Sequence, residues 1–499
     1  MFKKNRMKYV NTRVWNTDST FVFPELQPED PDFIGTKANM GICFSGGGTR
    51  SATCTHGQLK ALSYSGLLDN IGYISSVSGG AWAALPFTFL DEHWEDAHFF
   101  GAILEPEELT NDVLSSIDES NYLYTVTHAG LMDEAFKSWL KLATDETFSR
   151  AIGKIFLEHF NLNSRNKLFC NSTNQLNSIL ERNSQLNVDD FYIARPNRPF
   201  LIAGAAFLRH GRHDYLFEMT PWYSGIHSFY PKKRPWNANI GGGYIETFAL
   251  DSKAPDSIEN STATVRLGTK RHRFTLSDVL ATTGAAPSEV LHNIGLDDLG
   301  FPEFKYWSPR DIDKDKEYEI GDGGNIENLG ILPLIKRDVK KIIMFVNTMK
   351  ELSSSNPSQI NKAIKQLFTP NDVNHIFDKN KLVNLQEGLL SQLDKGEATI
   401  YKDTYSILAN EHHGIQGGTT VEILWVYNHE YKNWTKKLPE EIRTKLKKHE
   451  LSHFPHFKTF LENGPRFIDL DPIQANLLSH MSCAVLNDNI DIFKEFIIS

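Results

Sequence analysis

One segment near the N-terminus constrains the fold of this chain more than any other part of the sequence. It runs from Gly41 to Trp82 and contains two short apolar stretches with an amphipathic stretch between them. A strand, a helix and a second strand in that order form a crossover unit, which requires the two strands to pair in parallel. We therefore expect an α/β protein in which residues 38–90 form strand, helix, strand and helix.

A triple-glycine loop follows the first predicted strand. Gly46, Gly47 and Gly48 come after Met40–Phe44 and open a helix that begins near Arg50. Consecutive glycines allow backbone N–H groups to point the same way and to approach a ligand closely. The loop lacks the Gly-Lys-Ser/Thr ending of a P-loop and the GxGxxG spacing of a dinucleotide site. An oxyanion hole made of these three amides fits better, and Arg50 is either a ligand for a substrate phosphate or part of a structural ion pair.

The second predicted strand ends in a serine turn, Ser76-Val77-Ser78-Gly79-Gly80. A nucleophilic serine is exposed at a sharp strand-to-helix turn, and its neighbours must be small because their backbones crowd each other. Ser76 stands where the usual Gly-x-Ser-x-Gly pattern has its first glycine. A helix starting near Gly79 would direct its N-terminal amides towards Ser78. Ser78 is therefore the candidate nucleophile, and an ordinary tight polar turn is the alternative.

A carboxylate that could serve this nucleophile lies far along the chain. Asp322 is inside the segment Tyr318–Asn325, at the end of a predicted strand and within a glycine turn. A carboxylate held there can accept the proton of a serine hydroxyl, although Asp-Gly turns are also common without any function. The alternating aspartates of residues 311–315 suggest a calcium loop, but Lys316 occupies the position at which that loop requires glycine. We expect no metal and no cofactor.

Composition excludes several classes of function. The chain has 499 residues and a net charge of −10, which disfavours a nucleic-acid partner. No apolar run approaches the ~20 residues of a membrane-spanning helix. The four cysteines lack metal-ligand spacing and do not suggest a disulfide framework. The N-terminus has no apolar signal segment, so we expect a cytoplasmic protein, although export by a signal-independent route would leave the same sequence.

The rest of the chain predicts one large domain. Residues 1–37 are polar and are expected to form an N-terminal arm, with a catalytic domain over 38–499 and a helical insertion at about 100–185. A polar stretch at 356–416 is predicted to be helical, and Pro472–Ile498 to be a closing helix. Further strands are expected at Phe200–Ala205, Tyr215–Met219, Ile342–Val346 and Val421–Tyr427.

The joint pattern resembles the cytosolic phospholipase A2 and patatin-like phospholipase family. That family combines an SGGGxR loop, a serine one helix and one strand later, and a distant aspartate in a D-G-G turn, and the run Ser45–Trp82 with Asp322 has this order. Phe217–Pro221, Ala281–Pro287 and Phe454–Thr459 are similar to further family segments, whereas Ser76 departs from the pattern.

The resemblance implies a mostly parallel central sheet flanked by helices and a Ser78–Asp322 dyad with a glycine-loop oxyanion hole. It also implies a carboxylic ester hydrolase of the phospholipase A2 or lysophospholipase type, acting on phospholipid or lysophospholipid during transient contact with a membrane surface. Any protein activator is unknown.

Several alternatives stay open at this point. A Ser-His-Asp carboxylesterase or lipase would need a histidine after the acid, such as His453 or His456. A phospholipid acyltransferase would use the same nucleophile, and a non-catalytic lipid-binding protein would use none. Candidate membrane contacts are the basic positions Lys3, Lys4, Arg6 and Lys8 and the loop Tyr230–Trp236, and the apolar residues of 131–160 could form a lid or part of the core.

Overall fold

The computed structural model describes most of the chain. It covers residues 9–128, 147–208, 214–233, 237–267, 273–285, 302–356, 359–448, 451–458 and 470–499. Within these ranges the strands are β1 Tyr9–Asn16, β2 Met40–Phe44, β3 Tyr73–Val77, β4 Leu168–Cys170, β5 Phe191–Ile193, β6 Phe200–Phe207, β7 Tyr215–Met219, β8 Tyr223–Tyr230, β9 Ile240–Glu246, β10 Ser252–Lys253, β11 Thr262–Leu267, β12 Glu303–Tyr306, β13 Lys316–Asp322, β14 Lys341–Val346, β15 Ile400–Ser406 and β16 Thr420–Tyr427. The α-helices are α1 Gly48–Tyr64, α2 Gly79–Phe89, α3 Asp96–Phe100, α4 Asn111–Ser115, α5 Tyr122–Thr127, α6 Thr147–Phe156, α7 Thr173–Arg182, α8 Leu276–Thr283, α9 Leu332–Lys336, α10 Lys362–Phe368, α11 Lys381–Lys395, α12 Lys432–Thr435, α13 Glu440–Leu446, α14 Pro472–Asn487 and α15 Ile490–Ile498.

A large mixed sheet forms the centre of the molecule. Its strand order is β10-β11-β1-β9-β8-β7-β6-β3-β2-β14-β16-β15, and β13 pairs with both β6 and β12. Only the middle of the sheet is parallel, from β6 through β3, β2 and β14 to β16. The expectation of a mostly parallel sheet is therefore wrong. The strands β6 to β9 follow one another through short connections, which allow only antiparallel neighbours, and β1, β11, β13 and β15 also pair antiparallel.

Helices cover both faces of this sheet, as an α/β architecture requires. On one face of the sheet, the apolar residues of α1, α2 and α14 pack against those of β2 and β3. On the other face α9, α10 and α11 form a second apolar cluster with Trp425 and Tyr405. Because both faces are covered, β2 and β3 are buried along their whole length.

The strand predictions are confirmed, and other sequence predictions are confirmed in part. All four predicted later strands exist, with β6, β14 and β16 slightly longer than expected. The closing helix is two helices, α14 and α15, and the polar stretch at 356–416 contains β15 beside α10 and α11. Helices α3 to α7 lie in or beside the predicted insertion, while much of 131–160 lies outside the described residues.

The N-terminal residues add a strand to the sheet and bury side chains in the interior of the molecule. Strand β1 pairs with β9 and β11, and Glu25 forms a fully buried ion pair with Arg337. The guanidinium of Arg337 also lies 3.9 Å from the ring centre of Phe23. The boundary between arm and domain stays a prediction. No helix in the described part of the chain has the length and apolar character of a membrane span.

Candidate active site

The serine turn forms as the sequence predicts. Ser78 directly follows β3 and immediately precedes α2, with φ 51° and ψ −125°. A non-glycine residue with positive φ is strained by about 1–3 kcal/mol and persists only where the surroundings impose it. The two residues after the serine must be glycine, because the backbone of the turn packs closely against its surroundings. A Cβ at Gly79 would overlap the Gly48 carbonyl, and one at Gly80 would lie 2.6 Å from the Phe44 carbonyl oxygen. The turn therefore presents a hydroxyl at the end of a buried strand.

Strand pairing brings the distant aspartate to this serine. Strands β3 and β13 share one edge of β6 and meet end to end, with Val77 opposite Gly204 and Asp322 opposite Ala205. Both strands finish at that junction, so the residues that follow or end them converge. Ser78 Oγ donates a hydrogen bond of 3.0 Å to Asp322 Oδ2. Both side chains are buried, with Ser78 only 6% and Asp322 only 4% exposed.

Burial makes Asp322 a stronger base than an ordinary aspartate. Desolvation raises its pKa from 3.8 to about 6, against the opposing effects of the Gly324 N–H and the Ser78 hydroxyl. The Gly324 N–H donates to Oδ1 at 2.6 Å, so the two carboxylate oxygens have separate partners. A carboxyl group with a pKa near 6 is ionised at neutral pH and binds a proton more readily than a solvated one.

Thr283 also positions the serine, and the sequence reasoning did not single it out. Its Oγ1 accepts the Ser78 N–H at 3.0 Å and donates to the Gly204 carbonyl at 2.6 Å. Thr283 ends α8 and belongs to the small-residue segment that begins at Ala281. That segment was recognised only by its similarity to a family, and its short polar side chains were the available signal.

The glycine loop lies against the serine turn, but its three amides are not equivalent. The Gly46 N–H donates to the Asn328 carbonyl at 2.9 Å. Within the described ranges no acceptor engages the N–H groups of Gly47 and Gly48, whose φ values are 149° and 56°. Oxyanion binding by Gly46, Gly47 and Gly48 stays a prediction, and of the three amides that of Gly46 already has a partner. Gly47 and Gly48 are the remaining candidates.

Arg50 is placed among backbone carbonyls. It is 3% exposed, and it donates from Nε to the Asn347 carbonyl at 3.2 Å and from Nη1 to the Phe457 carbonyl at 2.7 Å. Its Nη2 lies beside Gly47, where an added Cβ would be only 2.5 Å away. These hydrogen bonds join α1 to the residue after β14 and to the C-terminal region around the glycine loop, and their acceptors are backbone carbonyls rather than the carboxylate of the ion pair that the sequence suggested. Phosphate binding by Arg50 stays a prediction.

Among the described residues, no histidine forms a hydrogen bond with Ser78 or Asp322. His456 is buried with Nδ1 3.3 Å from the Thr348 carbonyl, and desolvation lowers its pKa to about 3. His453 is exposed. Asp322 contacts the serine hydroxyl directly, in the place that a histidine ring would occupy in a triad.

The aspartates near β13 have partners of their own. Asp311 accepts from Asn239, Asp313 pairs with Lys232 at 2.9 Å, and Asp315 accepts the Ala254 N–H. Across the described part of the chain, no group of three His, Cys, Asp or Glu residues could hold a metal ion. All four cysteines are buried and free.

Comparison with known proteins identifies the fold. No family model and no curated protein matches the sequence. The solved structure of human GIVD cytosolic phospholipase A2 superposes with a TM-score of 0.52 at 11% identity, covering 95% of this chain and 64% of that one. The fold is similar to that of a cytosolic phospholipase A2. Two structures of the same human enzyme with methyl γ-linolenyl fluorophosphonate, one of them also with terbium chloride, have TM-scores of 0.42 and 0.43 at 12% and 13% identity, covering 95% of this chain and 61% of theirs. The chain thus spans less than two thirds of the length of these structures.

Proposed function

We propose that this protein is a phospholipase A or lysophospholipase that hydrolyses fatty-acyl esters of glycerophospholipids. The 3.0 Å hydrogen bond between Ser78 Oγ and Asp322 Oδ2, at a strained strand-to-helix turn, is the observation that carries the proposal. The fold similarity to a phospholipase supports the substrate class. We further propose a cytoplasmic enzyme that contacts membrane surfaces transiently.

The proposed reaction begins with proton transfer. Asp322 accepts the proton of the Ser78 hydroxyl while Oγ attacks the ester carbonyl carbon. The resulting oxyanion is stabilised by the N–H groups of Gly47 and Gly48, and each such donor typically contributes about 3–4 kcal/mol to lowering the barrier. Collapse of this intermediate leaves an acyl-serine ester and releases an alcohol, which takes up the proton from Asp322. The alcohol is a lysophospholipid when the substrate is a phospholipid, and a glycerophosphoalcohol when it is a lysophospholipid.

The second half of the reaction repeats the same proton movements with water. Asp322 accepts a proton from a water molecule, whose oxygen attacks the acyl-serine carbonyl. The fatty acid leaves as Ser78 regains its proton. A proton acceptor buried at the site suits both steps, because the group must be ionised at the start of each and protonated in the middle.

Product analysis tests this function directly. The purified protein is incubated with mixed phospholipid and lysophospholipid micelles, and released fatty acids are measured by mass spectrometry. We expect release that falls at least ~10³-fold in Ser78→Ala, since the oxyanion hole and binding alone would remain. Ser76→Ala is the matched control, because this buried serine lies two residues before Ser78, in β3. Equal activity in Ser78→Ala and the unmodified protein would refute the dyad.

The acyltransferase alternative needs only one addition to the same experiment. An alcohol or lysophospholipid acceptor is supplied, and transfer products are measured beside free fatty acid. Dominant transfer with little hydrolysis would replace the hydrolase proposal, since both reactions pass through the same acyl-serine.

A further inference from the structure

A second buried carboxylate lies close to the proposed dyad. Glu327 follows Asp322 by five positions and is 2% exposed. Its Oε1 accepts the Leu329 N–H at 2.6 Å, and its Oε2 accepts the Leu332 N–H at 3.4 Å. No Lys, Arg or His in the described ranges forms an ion pair with it. Among the described residues its hydrogen-bond partners are therefore backbone amides.

Glu327 organises the segment that follows the catalytic acid. Its own N–H donates to the Gly323 carbonyl at 2.8 Å, which joins it to the turn after Asp322. Its carboxylate holds the chain that leads into α9, whose first residue is Leu332. The segment is thereby fixed at both ends, and the residue next to Glu327 has a defined position.

That neighbouring residue, Asn328, lies between the proposed acid and the glycine loop. Its carbonyl accepts the Gly46 N–H at 2.9 Å. Its side-chain Oδ1 lies so close to Gly46 that an added Cβ there would overlap it, and a Cβ at Gly324 would be 2.8 Å from the same oxygen. At Gly324 that Cβ would also be 3.0 Å from Asp322 Oδ1. Asn328 therefore spaces the glycine loop from the aspartate turn.

We propose that Glu327 is a positioning residue that keeps the glycine loop and Asp322 in catalytic register by fixing Asn328. This inference rests on the proposed function. A displacement of about 1 Å in a catalytic group can cost about 10²-fold in rate, so a residue that fixes spacing can affect turnover without touching substrate.

Stability alone gives a poor reason for an ionisable group at this position. Burial raises the pKa of Glu327 to about 7, which means that ionising it in the folded protein is unfavourable. A buried charge without a cation is more costly than an apolar side chain of similar size. The carboxylate is nevertheless well suited to gather several backbone amides at one point.

The test compares two buried glutamates. Glu327→Gln retains the side-chain size but replaces one acceptor oxygen by a donor. Glu246→Gln is the control at a second buried glutamate: Glu246 is 1% exposed and also accepts a backbone amide, from Arg13 at 2.7 Å, and it differs from Glu327 in its ion pair with Arg182 at 2.7 Å. Hydrolysis of p-nitrophenyl butyrate gives kcat and KM, and urea unfolding gives stability for each variant.

We expect Glu327→Gln to lower kcat about 10- to 100-fold with KM changed less than about threefold. Glu246→Gln should keep kcat within about twofold of the unmodified protein even where it loses comparable stability. Unchanged kcat in folded Glu327→Gln would overturn the inference, and so would a loss confined to KM.

Asn328→Ala keeps the test decisive if Glu327→Gln does not fold. Asn328 is only partly buried, and the substitution removes the side chain that spaces Gly46 from Gly324. We expect a similar fall in kcat, and an unchanged kcat would overturn the inference. An unmodified protein that releases no fatty acid from phospholipid or lysophospholipid micelles would instead refute the proposed function.

Discussion

The buried acid should make the folded protein less stable at neutral pH than an uncharged isostere would. Ionised Asp322 is retained in a desolvated site, and its pKa is raised from 3.8 to about 6. Asp322→Asn removes this charge. The Asn side-chain oxygen can still accept the Gly324 N–H, and its amide can donate to Ser78 Oγ. The substitution therefore keeps the local hydrogen bonds while it removes the cost of ionisation.

The size of the effect follows from linkage. Raising the pKa of Asp322 from 3.8 to about 6 corresponds to about 3 kcal/mol of difference between its protonated and ionised forms. Because the pKa is raised on folding, the stabilising preference for the protonated form is complete below pH 3.8 and is lost as the pH rises through about 6. Above that pH the Asn variant should be more stable by up to about 3 kcal/mol.

Urea unfolding at pH 8 and at pH 4 measures this difference. We expect Asp322→Asn to raise the free energy of unfolding at pH 8, with little difference at pH 4 and with an unchanged dependence on urea concentration. Activity should be lost at the same time, because Asp322 is the proposed base. The ionised carboxylate that the reaction needs would then also be the group that lowers the stability of the fold. A variant less stable at pH 8, or a gain that is the same at both pH values, would refute the reasoning.

One pH profile and three further substitutions test separate parts of the site. The pH profile of kcat/KM should fall below about pH 6 as Asp322 becomes protonated, and a flat profile down to pH 4 would contradict its role as base. Gly79→Ala should destabilise the protein by about 2 kcal/mol, measured by urea unfolding, because its Cβ meets the Gly48 carbonyl. Arg50→Met should lower stability by about 3 kcal/mol through lost hydrogen bonds, whereas unchanged stability with a raised KM for phospholipid would support phosphate binding. His456→Gln should keep its activity in the fatty-acid assay, and a loss beyond about 10²-fold without unfolding would favour a triad.

The sequence was sufficient to predict the serine turn because its causes are local. Ser78 needs small neighbours and a strand before it, and both are visible within a few residues. Strand β3 and helix α2 then occupy the expected positions. Asp322 was a candidate partner from its strand-end glycine turn and from the family resemblance, but no local pattern shows the pairing itself, because it depends on β3 and β13 meeting at one edge of β6.

Long-range contacts explain what the sequence did not predict. The antiparallel half of the sheet includes β9, whose Gly241–Gly243 run does not have the pattern of a strand interior. The Gly46 amide was proposed as an oxyanion donor, and the structure gives it a partner from a distant segment, the Asn328 carbonyl. Arg50 likewise donates to Asn347 and Phe457, and no spacing within the glycine loop indicates those contacts.

Covalent labelling by a fluorophosphonate tests the central claim most directly. The reagent reacts with a serine whose proton is removed by a base, at a site that stabilises the negative charge developing on the phosphonyl oxygen. Labelling therefore reports the nucleophile, Asp322 and the glycine loop together. Peptide mass spectrometry should locate the adduct on Ser78 in the unmodified protein and in Ser76→Ala. It should find much slower labelling in Asp322→Asn and none in Ser78→Ala. A folded, unmodified protein that is not labelled, or is labelled at another residue, would contradict the account.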